Sequence, residues 1–127
     1  MGVKITLDAK AIKGIEDAML RAAELTMEAL KTDVMSDEVM PYNGGTMQNT
    51  DTFVDTQQDG DTIKSSLVTG ITGSPQARRL YYHPEYNFQR DNNHNAGGEW
   101  LQPWIDGDKK DFVYDTFAEL LKKEANL

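Results

Sequence analysis

The sequence contains no cysteine. That absence excludes disulfides, thiolate metal sites and cysteine nucleophiles, and it fits an intracellular setting. Basic residues are scarce: 13 Lys and Arg stand against 21 Asp and Glu, for a formal net charge of −8. General attraction to nucleic acid or to an anionic membrane is therefore not expected, and only a local basic patch remains open. No apolar run approaches the roughly 20 residues of a membrane span, and the N-terminus is expected to lack a signal-peptide core. What is left is a chain of 127 residues, read as a single domain over 1–127, large enough to bury about two-thirds of its unfolded surface.

Val3-Lys4-Ile5-Thr6-Leu7 alternates apolar and polar residues and reads as a short strand. The same stretch fits a loose myristoylation pattern, and the strand is the better use of it. Asp8 is a candidate N-cap for a long helix running to Asp33–Met35. Ile12, Ile15, Met19, Ala22, Leu25 and Ala29 recur at spacings of three and four and are expected to form its buried stripe. Pro41, Asn43, Gly44 and Gly45 end the pattern and open a long loop near 36–52.

Residues 52–57 and 62–69 favour β-structure and bracket Gln58-Asp59-Gly60-Asp61. Asp-Gly between two such runs predicts a hairpin, because Gly60 tolerates the positive φ of a tight turn. Residues 77–82 are open between a helical turn and a third strand. A second long loop follows near 83–98, then a short helix with Pro103 in its early turns. Gly107 interrupts, Asp108 is the expected cap, and Phe112, Val113, Phe117, Leu120 and Leu121 give one face of a C-terminal helix. The expected fold is α+β: a small antiparallel sheet with a hairpin, packed against a long N-terminal helix and a C-terminal helix. Loops of this length are usually functional or disordered.

Motifs for chemistry are weak. Asp55 to Asp61 partly matches an EF-hand loop, yet Ser66 stands where the bidentate Glu belongs. His83 and His94 with Glu85 or Asp91 form a conceivable zinc set, but eleven residues separate the histidines, which is no helical ligand spacing. No nucleophile elbow or phosphate-binding glycine motif occurs. No catalytic residue, metal or cofactor is expected. Trp100 and Trp104, spaced i,i+4, share a helix face, with core packing as the first expectation and a partner anchor as the second.

Charge is unevenly placed. From Thr32 to Asp61 there are seven acids and no base: Asp33, Asp37, Glu38, Asp51, Asp55, Asp59 and Asp61. These form a candidate acidic face. Arg78, Arg79 and Arg90 lie in a mildly basic aromatic segment further on. A chain so divided can attract its own copies head to tail.

The segment Ala77-Arg78-Arg79-Leu80-Tyr81-Tyr82, then Asn87-Phe88, then Asn95-Ala96-Gly97-Gly98-Glu99-Trp100 resembles the minor capsid, or neck, proteins of long-tailed bacteriophages. Gly45 and Met47 after Pro41 resemble that family's loop before the hairpin, and His94 stands where the family carries Pro. The resemblance spans about residues 40–105. It implies a structural subunit of a head–tail connector ring through which DNA passes, made in the bacterial cytoplasm and residing at the head–tail junction. Its partners would be its own copies and neighbouring connector or tail proteins, with no specific nucleic-acid binding. Under this resemblance Arg78, Arg79, Tyr81, Tyr82, Tyr86, Phe88, Arg90, Trp100 and Trp104 are candidate subunit contacts. A tail-terminator ring shares a similar plan and is the alternative; a small metal-dependent enzyme is a weaker one.

Overall fold

In the computed structural model, residues 9–42, 52–60, 62–70 and 76–126 are described. The expected strand at 3–7, its neighbour Asp8, and the loop residues 43–51 lie outside them. The first element is helix α1, Ala9–Ser36. Its composition is rich in Ala, Leu, Met, Glu and Lys and free of proline, so 28 residues continue without a break over about 42 Å. The helix ends by turning left-handed. Glu38 sits at φ +54°, after the Asp37 and Glu38 amides have donated to the Asp33 and Met35 carbonyls.

The buried line of α1 meets the expected stripe at Ala22, and in part at half-buried Ala29, but otherwise departs from it. Ala18, Ala22, Thr26, Leu30 and Val34 face inward, whereas Ile15, Met19 and Leu25 are exposed. Small residues at 18, 22 and 26 allow neighbouring elements to approach the helix closely. Thr26 is tolerated there because its hydroxyl donates to the Ala22 carbonyl at 2.6 Å.

Strands β1 (Thr52–Asp59) and β2 (Thr62–Thr69) form the antiparallel hairpin. Pairing runs from Thr52 opposite Thr69 to Asp59 opposite Thr62, so β1 extends two residues beyond the expected Gln57. Gly60 follows with φ +59°, as the tight reversal requires. Val54, Leu67, Thr56, Ser65 and Ile63 are half-buried, while Phe53, Asp55, Gln57 and Asp59 are exposed. Hydroxyl pairs Thr52–Thr69 (3.0 Å) and Thr56–Ser65 (2.9 Å) link the strands. Two strands alone are marginal, so the hairpin depends on α1, which packs against both.

Residues 77–81 resolve the open choice in favour of a helix, α2 (Ala77–Tyr81). Helix α3 (Gln102–Ile105) carries Pro103 in its first turn, where the missing N–H costs nothing. Helix α4 (Phe112–Glu124) starts after Asp111; the expected cap, Asp108, lies earlier, in the turn. Arg21 on α1 meets Glu124 of α4 (3.4 Å), and Lys109 before α4 meets Asp33 (3.2 Å), so the two helices run antiparallel. The core gathers Leu30, Val34, Met40, Ala77, Trp100 and Trp104, with Leu67, Leu80, Phe112 and Val113 packed around it. No residue of α4 is fully buried.

Candidate subunit-contact surface

The polar loop after α2 is held against the end of α1. The Asn95 amide donates to the Glu38 carbonyl (3.0 Å) and the Gly97 amide to that of Val39 (3.2 Å). Buried Asn93 donates from Nδ2 to the Met40 carbonyl at 2.9 Å, and Asn95 Nδ2 reaches the Asp37 carbonyl at 2.9 Å. Gln89 Nε2 adds a bond to the Tyr42 carbonyl. Buried backbone acceptors must find donors, and here the loop supplies them. The Asn-rich composition is thus structural. It builds a ledge from segments 47 to 58 residues apart.

The candidate contact residues divide into three groups. Trp100 and Trp104 belong to the core, each 5% exposed; the partner-anchor expectation does not hold for them, because burial leaves a partner little to touch. Trp104 Nε1 donates to Asp33 at 2.8 Å, and Trp100 packs edge-on to Tyr81 with ring centroids 4.8 Å apart. Tyr81 is half-buried and its hydroxyl donates to Gln102 Oε1 at 2.8 Å. Burial raises its pKa above the ordinary tyrosine value. Arg90 is turned back on its own loop, donating from Nε to the Ala96 carbonyl at 3.2 Å.

Arg78, Arg79, Tyr82 and Tyr86 form the surface group. Tyr82 is 65% exposed and meets Tyr81 edge-on at 5.2 Å. Tyr86 stacks flat on His83 at 4.7 Å, and half-buried Phe88 leans against Tyr86 at 6.5 Å. Beside them a cavity of about 190 Å³ opens between β2 and α2, lined by Leu67, Thr69, Ala77, Arg78, Tyr82 and Trp100 among others.

The acidic face is not continuous. Asp33 and Asp37 share Lys109 as their cation, at 3.2 and 2.7 Å. Their bonds to the ammonium, that from Asp37 foremost, raise the lysine's pKa. Glu38 meets His94 Nδ1 at 2.9 Å. Only Asp55 and Asp59, on β1, remain exposed without an ion pair; Asp51 and Asp61 lie outside the described residues. Sequence reading missed Lys109 because it counted charge along the chain and the base lies far outside the acidic run.

The histidines do not converge. His83 contacts Glu85 at 2.6 Å, and that hydrogen bond lowers the glutamate's pKa; His94 contacts Glu38 instead. Among the described residues no group of three His, Asp or Glu side chains is placed to hold a metal ion, and no helix is long and apolar enough to cross a membrane. Set beside models of known families, curated proteins and solved structures, the chain matches none of them.

Proposed function

We propose that this chain is a non-enzymatic structural subunit of a head–tail connector ring in a long-tailed bacteriophage. The observation that carries the reading is the segment 77–101, whose family-like residues present Arg78, Arg79, Tyr82 and Tyr86 outward on an ordered ledge. An exposed tyrosine beside arginines is the composition that protein interfaces favour. Further support comes from α3 and α4, where Ile105 and Tyr114 are 61% and 75% exposed and α4 lacks a fully buried residue. A subunit inserted between neighbours needs more contact surface than one patch, and these exposed side chains add to it.

The test is removal of the gene from the phage genome that encodes it, followed by negative-stain imaging of the particles. Filled heads and complete tails that stay unjoined are the expected result. Normal infectious particles would overturn the proposal, and joined particles with overlong tails would assign the chain to the tail terminus instead.

A further inference from the structure

The hairpin separates opposite charges by its own length. Asp59 stands at its tip and Asp55 four residues nearer the base, both exposed on one face of β1. Arg78 stands at the base, sharing a cavity wall with Leu67 and Thr69 at the end of β2, and Arg79 follows it on α2. Eight-residue strands extend about 24 Å, so the tip is too far from the socket for Asp59 to reach these arginines within its own chain. Beyond about 10 Å, exposed charges are largely screened at ordinary salt. Asp55, Asp59, Arg78 and Arg79 are all exposed, and none enters an ion pair.

At the tip Gln57, Gln58, Asp59, Gly60 and Thr62 are exposed, while Ile63 turns inward and lines a cavity with Met19 and Phe117. The socket has a different character. Leu67, Ala77 and Trp100 floor a cavity of about 190 Å³, and Arg78 and Tyr82 rim it, a pairing of an apolar pit with a cationic and aromatic edge.

Resting on the ring reading above, we propose that the hairpin tip of one copy docks into the Arg78–Arg79–Tyr82 socket of the next. The two surfaces differ, so the contact is heterologous and propagates from copy to copy until the rotation closes. A second copy is the occupant because the acids and the bases that lack partners in one chain are supplied by the next. Lys64, opposite Gln57 on the paired strand, is a base near the tip and weakens the attraction.

The test is sedimentation equilibrium of the full chain at about 50 mM salt, where surface attraction is least screened. Asp55→Lys with Asp59→Lys, and separately Arg78→Glu with Arg79→Glu, each weaken self-association at least about tenfold. The chain carrying all four changes recovers it, and Lys64→Glu strengthens it. Circular dichroism of each variant reports that the fold is retained; the altered side chains are exposed, and folding is expected to survive. A wild-type chain monomeric up to about 1 mM, unchanged association in either double variant, or no recovery in the fourfold variant overturns the docking. Association that survives every reversal removes this contact and leaves the ring itself standing, and the connector reading is decided separately by the unjoined heads and tails.

Discussion

Lys109 reaches back across 72 residues of chain to place its ammonium 2.7 Å from the Asp37 carboxylate. It also contacts Asp33, whose same oxygen accepts from Trp104 Nε1, and it lies 5.0 Å from the centre of the Trp104 ring. One base therefore ties the segment before α4 to the end of α1 while bridging two acids one helical turn apart. Removing it leaves those acids to repel each other. Lys109→Met is expected to lower stability by about 1 kcal/mol; a fully buried pair would cost more, but these side chains are about one-third exposed. Adding Asp37→Asn should return part of the loss. Urea unfolding of the single and double variants measures both.

Alkaline pH tests the same contact. Lys109 and Tyr81 both have pKa values raised above their ordinary 10.5 and 10.0, the first by its bond to Asp37 and the second by burial. In each case the folded chain holds the proton more tightly than the unfolded chain. The stabilisation is complete below the unfolded values and is lost as pH rises through the folded ones. Melting temperature should hold up to about pH 9.5 and decline above it, and Lys109→Met should make that decline shallower. An equal slope in the variant would remove Lys109 from the account.

The main elements could be read from local pattern because their causes are local. A proline-free run of helix formers makes α1, and Asp59-Gly60 between β-favouring runs makes the hairpin. The buried side of α1 could not be read the same way. Apolarity pointed to Ile15, Met19 and Leu25 as well as Ala22, while packing buried Ala22 together with Ala18 and Thr26 for their size. The candidate surface was partly legible: Tyr82 and Arg78 are outside, and Trp100 and Trp104 take the core packing first expected of them, but the bond from Trp104 to Asp33, 71 residues away, was not foreseen. Nothing beside a tryptophan in the sequence announces so distant an acceptor. Lys109 and Asn93 are invisible for the same reason, each being a lone polar residue whose role exists only in the folded chain.

Asn93 is 4% exposed and donates to the Met40 carbonyl 53 positions earlier. Met40 is itself buried, so solvent has poor access to replace the donor. Asn93→Ala should cost about 1–3 kcal/mol, the penalty of a buried acceptor left without its bond. Because the same loop carries Tyr86 and Phe88, amide exchange across residues 83–98 should accelerate in this variant before global unfolding does. Uniform acceleration over the whole chain would mean that the loop is not a separate unit.

Gly98 tests the ledge from its other side. A methyl group there would lie 2.8 Å from both Cα and N of Pro84 and 3.0 Å from the Leu80 carbonyl. All three are backbone atoms, so no side chain can swing aside to make room. Gly98→Ala should force the 83–86 turn away from residues 97–99 and cost about 1–3 kcal/mol, the usual penalty of overpacking. Gly97→Ala is the control, since nothing lies within 4 Å of its added carbon. Denaturant midpoints should separate the two variants clearly. The adjacent Glu99 amide donates to the Tyr81 carbonyl at 2.7 Å, so displacement of this strand of chain also releases Tyr81. The high-pH decline described above should then be shallower in Gly98→Ala, because a more exposed Tyr81 returns toward its ordinary pKa and the folded chain no longer holds that proton more tightly than the unfolded one.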